Sequence, residues 1–155
     1  MAYHGEVLVF PSLVRARVLE QHDELRGMLA GLIADVSALD PLSTLDRERL
    51  EAATRELGAH FRAHLAFEEE ELTHVLAVLD PWGPERVKDM HDEHERQRRE
   101  LEALLGRFGN EADAACLVDA VAGLAADLLS DMADEERGRL RPGLLDADVL
   151  TIERR

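Results

Sequence analysis

The stretch 59–72, AHFRAHLAFEEEEL, decides how this chain is read. At about 100° per residue, helical positions three, four and seven apart share a face. His64 falls seven after Leu57 and three after Phe61, and Glu68 follows one turn later on the stripe that continues through Leu72 and Val75. An imidazole and a carboxylate at i, i+4 can grip one ion, or two side by side, from a rigid helix. Three more stretches repeat the theme. His22 in VLEQHDELRGML (18–29) lies four after Val18 and three before Leu25; His94 in MHDEHERQRREL (90–101) lies seven after Val87 and seven before Leu101. Asp131 in LLSDMADEERGRL (128–140) lies seven after Leu124, with Glu135 one turn further on. Four helices that each turn His or carboxylate groups inward form the pattern of a metal-binding bundle. Imidazole and carboxylate together suit iron, manganese or zinc.

Helix breakers divide the rest of the chain. Pro11-Ser12 opens the first segment, with Ser12 as the expected N-cap, and LDPLST ends it near Leu39. The second segment runs from about Leu45 to Leu79 and stops at the turn DPWGP. The third runs from about Pro84 to Phe108 and breaks at Gly109-Asn110; the fourth runs from about Glu111 to Arg139 and ends at Pro142-Gly143. Long helices joined by short loops must be antiparallel neighbours, so the expected fold is all-α, an antiparallel four-helix bundle. The expected organisation is an N-terminal segment over 1–12, the bundle over 13–142 and a tail over 143–155. Strand-like alternation is confined to residues 6–10. The tail, LLDADVLTIERR (144–155), is expected to pack back on the bundle, to stay disordered or to dock weakly on a partner protein.

Composition limits the function. The 155 residues are 46% hydrophobic, enough for the packed core of one domain. Only 4% are aromatic, and the apolar set is mostly Leu and Ala, which favours helix over sheet. A formal net charge of −15 argues against nucleic acid or an anionic membrane as partner and favours cations. No apolar run is long enough to span a bilayer and no basic leader precedes the first apolar patch, so the cytoplasm is the expected location. Cys116, the one cysteine, sits at helical spacing with Leu117 and Val121 and reads as a buried or half-buried small hydrophobe.

Each candidate ligand has a plainer reading. His22 alone would pass for a hydrogen-bonded core histidine, and FEEEEL for a solvated face. Together these readings fail. Buried carboxylates without a partner cost several kcal/mol each, and no Lys or Arg stands on those stripes near Glu68. His60 and His91, each one turn before an inward histidine, are secondary candidates, and Glu71 could reach the edge of the site. His4 and His74 read as surface residues. The basic and amide groups of HERQRREL are expected to pair along their own helix with Glu93, Glu95 and Glu102.

These residues resemble the hemerythrin-like, or HHE cation-binding, family over about residues 13–142. EQHDELRGML (20–29) is similar to its first helix motif, a His followed by a leucine-rich turn. HLAFEEEEL (64–72) is similar to the second, His-x3-Glu-Glu followed by x2-Leu. DEHERQRREL (92–101) is similar to the third, Glu-His before an amphipathic helix, and DMADEERGRLRP (131–142) to the fourth, His-x3-Glu-Glu ending near a Pro. The order and spacing of the four carry the resemblance. It implies an up-down-up-down bundle around a non-haem di-iron centre. His22, His64, His94 and the fourth-helix residue would be terminal ligands, and Glu68 and Glu135 would bridge the two irons. Open positions would meet O2, NO or peroxide. One position departs from the pattern: the fourth-helix His is Asp131 here. Asp131 would favour the ferric state, or shift preference toward manganese or zinc, with His60 or His91 compensating. A second alignment, anchored on Leu140 and Pro142, would use Met132 and Glu136 instead.

The leading expectation is therefore a protein that binds O2, NO or iron in sensing, storage or oxidative-stress defence. A di-metal enzyme that decomposes peroxide or acts as an oxidase is the second, and a metal-free structural bundle, which Asp131 keeps open, is the third.

Overall fold

The computed structural model describes residues 5–40, 43–110, 113–146 and 149–154. Four long helices run α1 Pro11–Ala38, α2 Thr44–Leu79, α3 Gly83–Asn110 and α4 Ala114–Arg137, flanked by two short strands, β1 Gly5–Val9 and β2 Leu150–Arg154. Helix α1 packs on α2 and α4, and α3 packs on the same two, so the helices stand at the corners of a square.

Local chemistry sets the boundaries. Pro11, with its fixed φ and missing N–H, takes the first turn of α1, so the helix starts before Ser12 and has no side-chain cap. The Ser43 hydroxyl accepts from the Asp46 amide at 3.3 Å and opens α2. Between α2 and α3, the Asp80 carboxylate accepts from the Trp82 amide at 2.9 Å and from Arg86 at 2.6 and 2.7 Å. Helix α3 runs through Gly109 to Asn110, past the break expected there. Asp113 caps α4, accepting from the Ala115 amide at 2.9 Å, and Gly138 ends it. The expected start of that helix at Glu111 lies outside the described residues, as does His4.

The core is split in two. One apolar cluster gathers Leu25, Leu29 and Leu32 of α1, Leu57, Phe61 and Leu65 of α2, Leu101 and Leu104 of α3, and Val121, Leu128 and Met132 of α4. The other gathers Val14 and Val18, then Leu72, Val75 and Leu76, then Met90, and finally Leu140 and Leu145. Helices α1 and α3 run from the second cluster to the first, and α2 and α4 run the other way, which is the up-down-up-down order. Between the clusters every helix contributes a buried polar residue: His22 after Val18, Glu68 before Leu72, His94 after Met90 and Glu135 after Met132. Each fully buried Leu stabilises the fold by roughly 1.5–3 kcal/mol, and this apolar packing above and below holds the polar layer in place.

Strand β1 pairs antiparallel with β2, Val9 opposite Leu150 and Gly5 opposite Arg154. The expected tail is thus tied to the start of the chain, and Leu145, within it, is wholly buried. Cys116 is exposed rather than half-buried, because it points away from the Leu117–Val121 stripe. Among the described residues no helix is long and apolar enough to cross a membrane.

Gly83 is needed for the α2–α3 turn. A Cβ there would stand 2.1 Å from the Leu76 carbonyl oxygen and 2.8 Å from Ala77 backbone atoms, none of which can yield without moving α2. Gly83→Ala is expected to cost about 2 kcal/mol or more, a fall of roughly 4–8 °C in a melting curve for a domain of this size. An unchanged melting temperature would show that the turn relaxes freely.

Candidate metal centre

Among the described residues, His22, His64, Glu68 and Glu135 form one group whose ligand atoms all lie within 4.8 Å of one another, and all four side chains are buried. The Glu68 carboxylate stands at its middle. Its Oε1 lies 3.4 Å from His64 Nε2 and 3.7 Å from His22 Nε2. Its Oε2 lies 3.0 Å from His94 Nε2. Glu135 Oε2 is 3.4 Å from His22 Nε2, and the rings of His22 and His64 meet edge to face with centroids 4.9 Å apart. Donors bound at about 2.1 Å to one ion stand roughly 3.0–3.5 Å from their neighbours at tetrahedral to octahedral angles, so the spacing suits a cation.

The outward nitrogens decide what the inward ones can do. His22 Nδ1 lies 2.9 Å from Glu136 Oε1, His64 Nδ1 lies 2.9 Å from Gln21 Oε1, and His94 Nδ1 lies 3.0 Å from Glu69 Oε1. Each outward partner is an acceptor, so each Nδ1 donates and each Nε2 turns toward the Glu68 carboxylate. Arginines hold the outer carboxylates in turn: Arg26 donates to Glu136, and Arg98 donates twice to Glu69, at 2.8 and 2.9 Å. Outer partners of this kind orient metal-binding imidazoles and raise their basicity. The consequence is a concentration of unpartnered polar atoms: His22 Nε2, His94 Nε2 and both Glu68 oxygens are buried without a hydrogen-bond partner. Leaving such groups unpaired costs several kcal/mol, and a cation among them removes that cost.

Charge in the centre is uneven without a metal. Burial works against a proton on His22, but the carboxylates of Glu135, Glu68 and Glu136 outweigh it and raise its pKa to about 10. Burial lowers that of His64 to about 4, with Glu68 opposing. Burial works against the Glu68 carboxylate too, yet His22 and His94 hold it well below the usual carboxylate range. Burial and the neighbouring Glu68 charge push Glu135 up.

A positive group that the stripes do not reveal also reaches the centre. Arg139 donates from Nε to Glu135 Oε1 at 2.6 Å and from Nη1 to Glu93 Oε2 at 2.9 Å, with its side chain 10% exposed. Asp131, expected as the fourth-helix ligand, is not in the group. Its Oδ2 accepts from Arg96 at 2.8 Å and from Gln97 at 3.0 Å. Gln97 therefore reaches across to α4 instead of pairing chiefly along its own helix, and Met132, beside Asp131, takes the core position. His60 is exposed, and His91 is exposed and pairs loosely with Thr73 at 3.4 Å. Glu71 and His74 are half-buried. Sequence reasoning missed Gln21, Glu69, Glu136 and Arg139. Three of these adjoin an inward ligand, which is the one signal that could have pointed to them.

Asp131→Asn is expected to leave metal content and optical spectrum unchanged. It weakens a half-exposed pair with Arg96, worth about 0.2–1 kcal/mol. Elemental analysis with a melting curve checks both halves, and loss of metal would restore Asp131 to the ligand set.

The sequence model of one protein family, the hemerythrin HHE cation-binding domain, matches residues 13–141. No curated protein and no solved structure gave a significant match.

Proposed function

Because the chain belongs to the hemerythrin HHE cation-binding family, we propose that it is an iron protein that binds O2 or NO in sensing, storage or oxidative-stress defence. One observation carries this reading: three imidazoles, each anchored outward through Nδ1, aim Nε2 at a buried carboxylate that has no other partner. His22, His64, Glu68 and Glu135 would hold the metal. Two imidazoles with carboxylates are a donor set that suits non-haem iron, with manganese or zinc as the competing ions. Iron bound here would supply a redox-active ion with positions open to a small ligand.

The protein's own part is access and exclusion. A cleft of about 120 Å³ between α1 and α2, lined by Gln21, Leu25, Met28, His60 and His64, reaches the edge of the centre. That volume suits diatomic ligands and peroxide. A second cleft of about 290 Å³, lined by Glu93, Glu135 and Arg139, meets the centre from the α3–α4 side, and the apolar clusters above and below close the approach along the bundle axis.

The test uses protein reconstituted with ferrous iron under anaerobic conditions. Adding NO or O2 is expected to produce a new charge-transfer spectrum that reverses on gas removal. Rapid peroxide turnover without a stable complex would favour the catalytic reading instead. No optical or magnetic response to NO, O2, azide or peroxide would refute ligand binding at the metal.

A further inference from the structure

The two sides of Glu68 are unequally equipped. On the Oε1 side stand His22, His64 and Glu135 Oε2, giving four ligand atoms in one group with Glu68 itself. On the Oε2 side stands His94 Nε2 at 3.0 Å, and the other groups at hand are committed. Glu135 Oε1 and Glu93 Oε2 are both held by Arg139. Asp131 is held by Arg96 and Gln97. One turn before His94 on the same stripe is Met90, wholly buried in the apolar cluster, and beside Asp131 is Met132, also in the core. A thioether is a poor donor to a hard ferrous or ferric ion.

We propose that the centre holds one metal ion, bound by His22, His64, Glu68 and Glu135, and that the Arg139 guanidinium supplies the second positive charge in place of a second ion. This rests on the metal-binding reading above and departs from the two-iron expectation.

Charge supports it. Glu68, Glu135 and Glu93 bring three negative charges to this layer, and Arg139 cancels one. A single divalent ion neutralises the remaining two. A second divalent ion would leave two uncompensated positive charges in a buried layer, or would have to expel Arg139. Expulsion is opposed by geometry, since the guanidinium bridges α4 and α3 through two charge-assisted hydrogen bonds in a largely buried position. Arginine keeps its proton throughout, so the substitution is permanent.

The experiment counts ions. Full-length protein is reconstituted with excess ferrous iron, freed of unbound metal by gel filtration and analysed for iron per chain. The oxidised form is then examined by electron paramagnetic resonance. The expected result is one iron per chain, with the low-field signal of an isolated high-spin ferric ion. Arg139→Ala and Arg139→Gln free Glu135 Oε1 and Glu93 Oε2 from the guanidinium and remove its positive charge, so the ratio should rise toward two, with loss of the isolated signal through coupling. Arg139→Lys keeps the charge and should stay at one. Two irons per chain in the unmodified protein would overturn the proposal while leaving metal binding intact. Folded Arg139→Ala and Arg139→Gln variants that stay at one iron would overturn the part given to Arg139. No iron, manganese or zinc at all would instead defeat the underlying metal-binding reading. Should the neutral variants fail to fold, the ratio and the ferric signal of the unmodified protein decide the ion count by themselves.

Discussion

Glu68→Ala is expected to lose metal affinity by at least about 100-fold, the largest effect of any single change in this protein. Removing even an outer partner of a ligand typically costs 10–100-fold, and Glu68 is the group that every inward imidazole faces. His22 and His64 meet one of its oxygens at 3.7 and 3.4 Å, and His94 meets the other at 3.0 Å. With the carboxylate gone, the remaining donors lose their common centre as well as one negative charge. Glu56→Ala, on an exposed face of the same helix, serves as the control and should load normally. Titration of both metal-free variants with ferrous iron separates them. Equal affinities would mean that the metal is bound elsewhere.

Stripping the metal with a chelator is expected to lower the melting temperature by about 5–10 °C. A ligand present at a hundred times its dissociation constant stabilises the fold by about 2.7 kcal/mol, and a domain of this size shifts by roughly 2–4 °C per kcal/mol. The structural source of the effect is the set of unpartnered buried atoms on His22, His94 and Glu68. Arg139 and a proton on His22 offset part of the carboxylate charge in the metal-free protein, so the bundle should remain folded rather than collapse. Re-adding ferrous iron should restore the original curve. A curve that does not move after verified metal removal would show that these atoms are not what the metal satisfies.

Helical periodicity made most of this layer readable from the sequence. His22, His64, Glu68, His94 and Glu135 each continue an apolar stripe through three- and four-residue steps, and the structure buries all five between two apolar clusters. Asp131 shows the limit of that method. Seven residues after Leu124 it is only slightly off the stripe, but so is Met132 after Leu128, and an apolar side chain wins a place bordered by Leu128 and Ala125. Asp131 turns instead to Arg96 and Gln97 of α3. The residues that orient the imidazoles were less visible. Gln21, Glu69 and Glu136 sit one position from an inward ligand, rotated about 100° toward a neighbouring helix, and their importance depends on which helix that is. Arg139 stands four residues after Glu135, the spacing of a helical ion pair, although α4 itself ends at Arg137; what has no local signal is its second bond, to Glu93 of α3. The pairing of β1 with β2 joins the two ends of the chain, a contact without local signal.

Anomalous diffraction from crystals of the iron-loaded protein, collected at the iron edge, measures directly where the metal binds. The predicted result is a peak about 2.0–2.3 Å from His22 Nε2, His64 Nε2, Glu68 Oε1 and Glu135 Oε2, with each Nδ1 still on its outward partner. Iron-loaded crystals with no peak among these four atoms, or with the peak at another group of side chains, would contradict it.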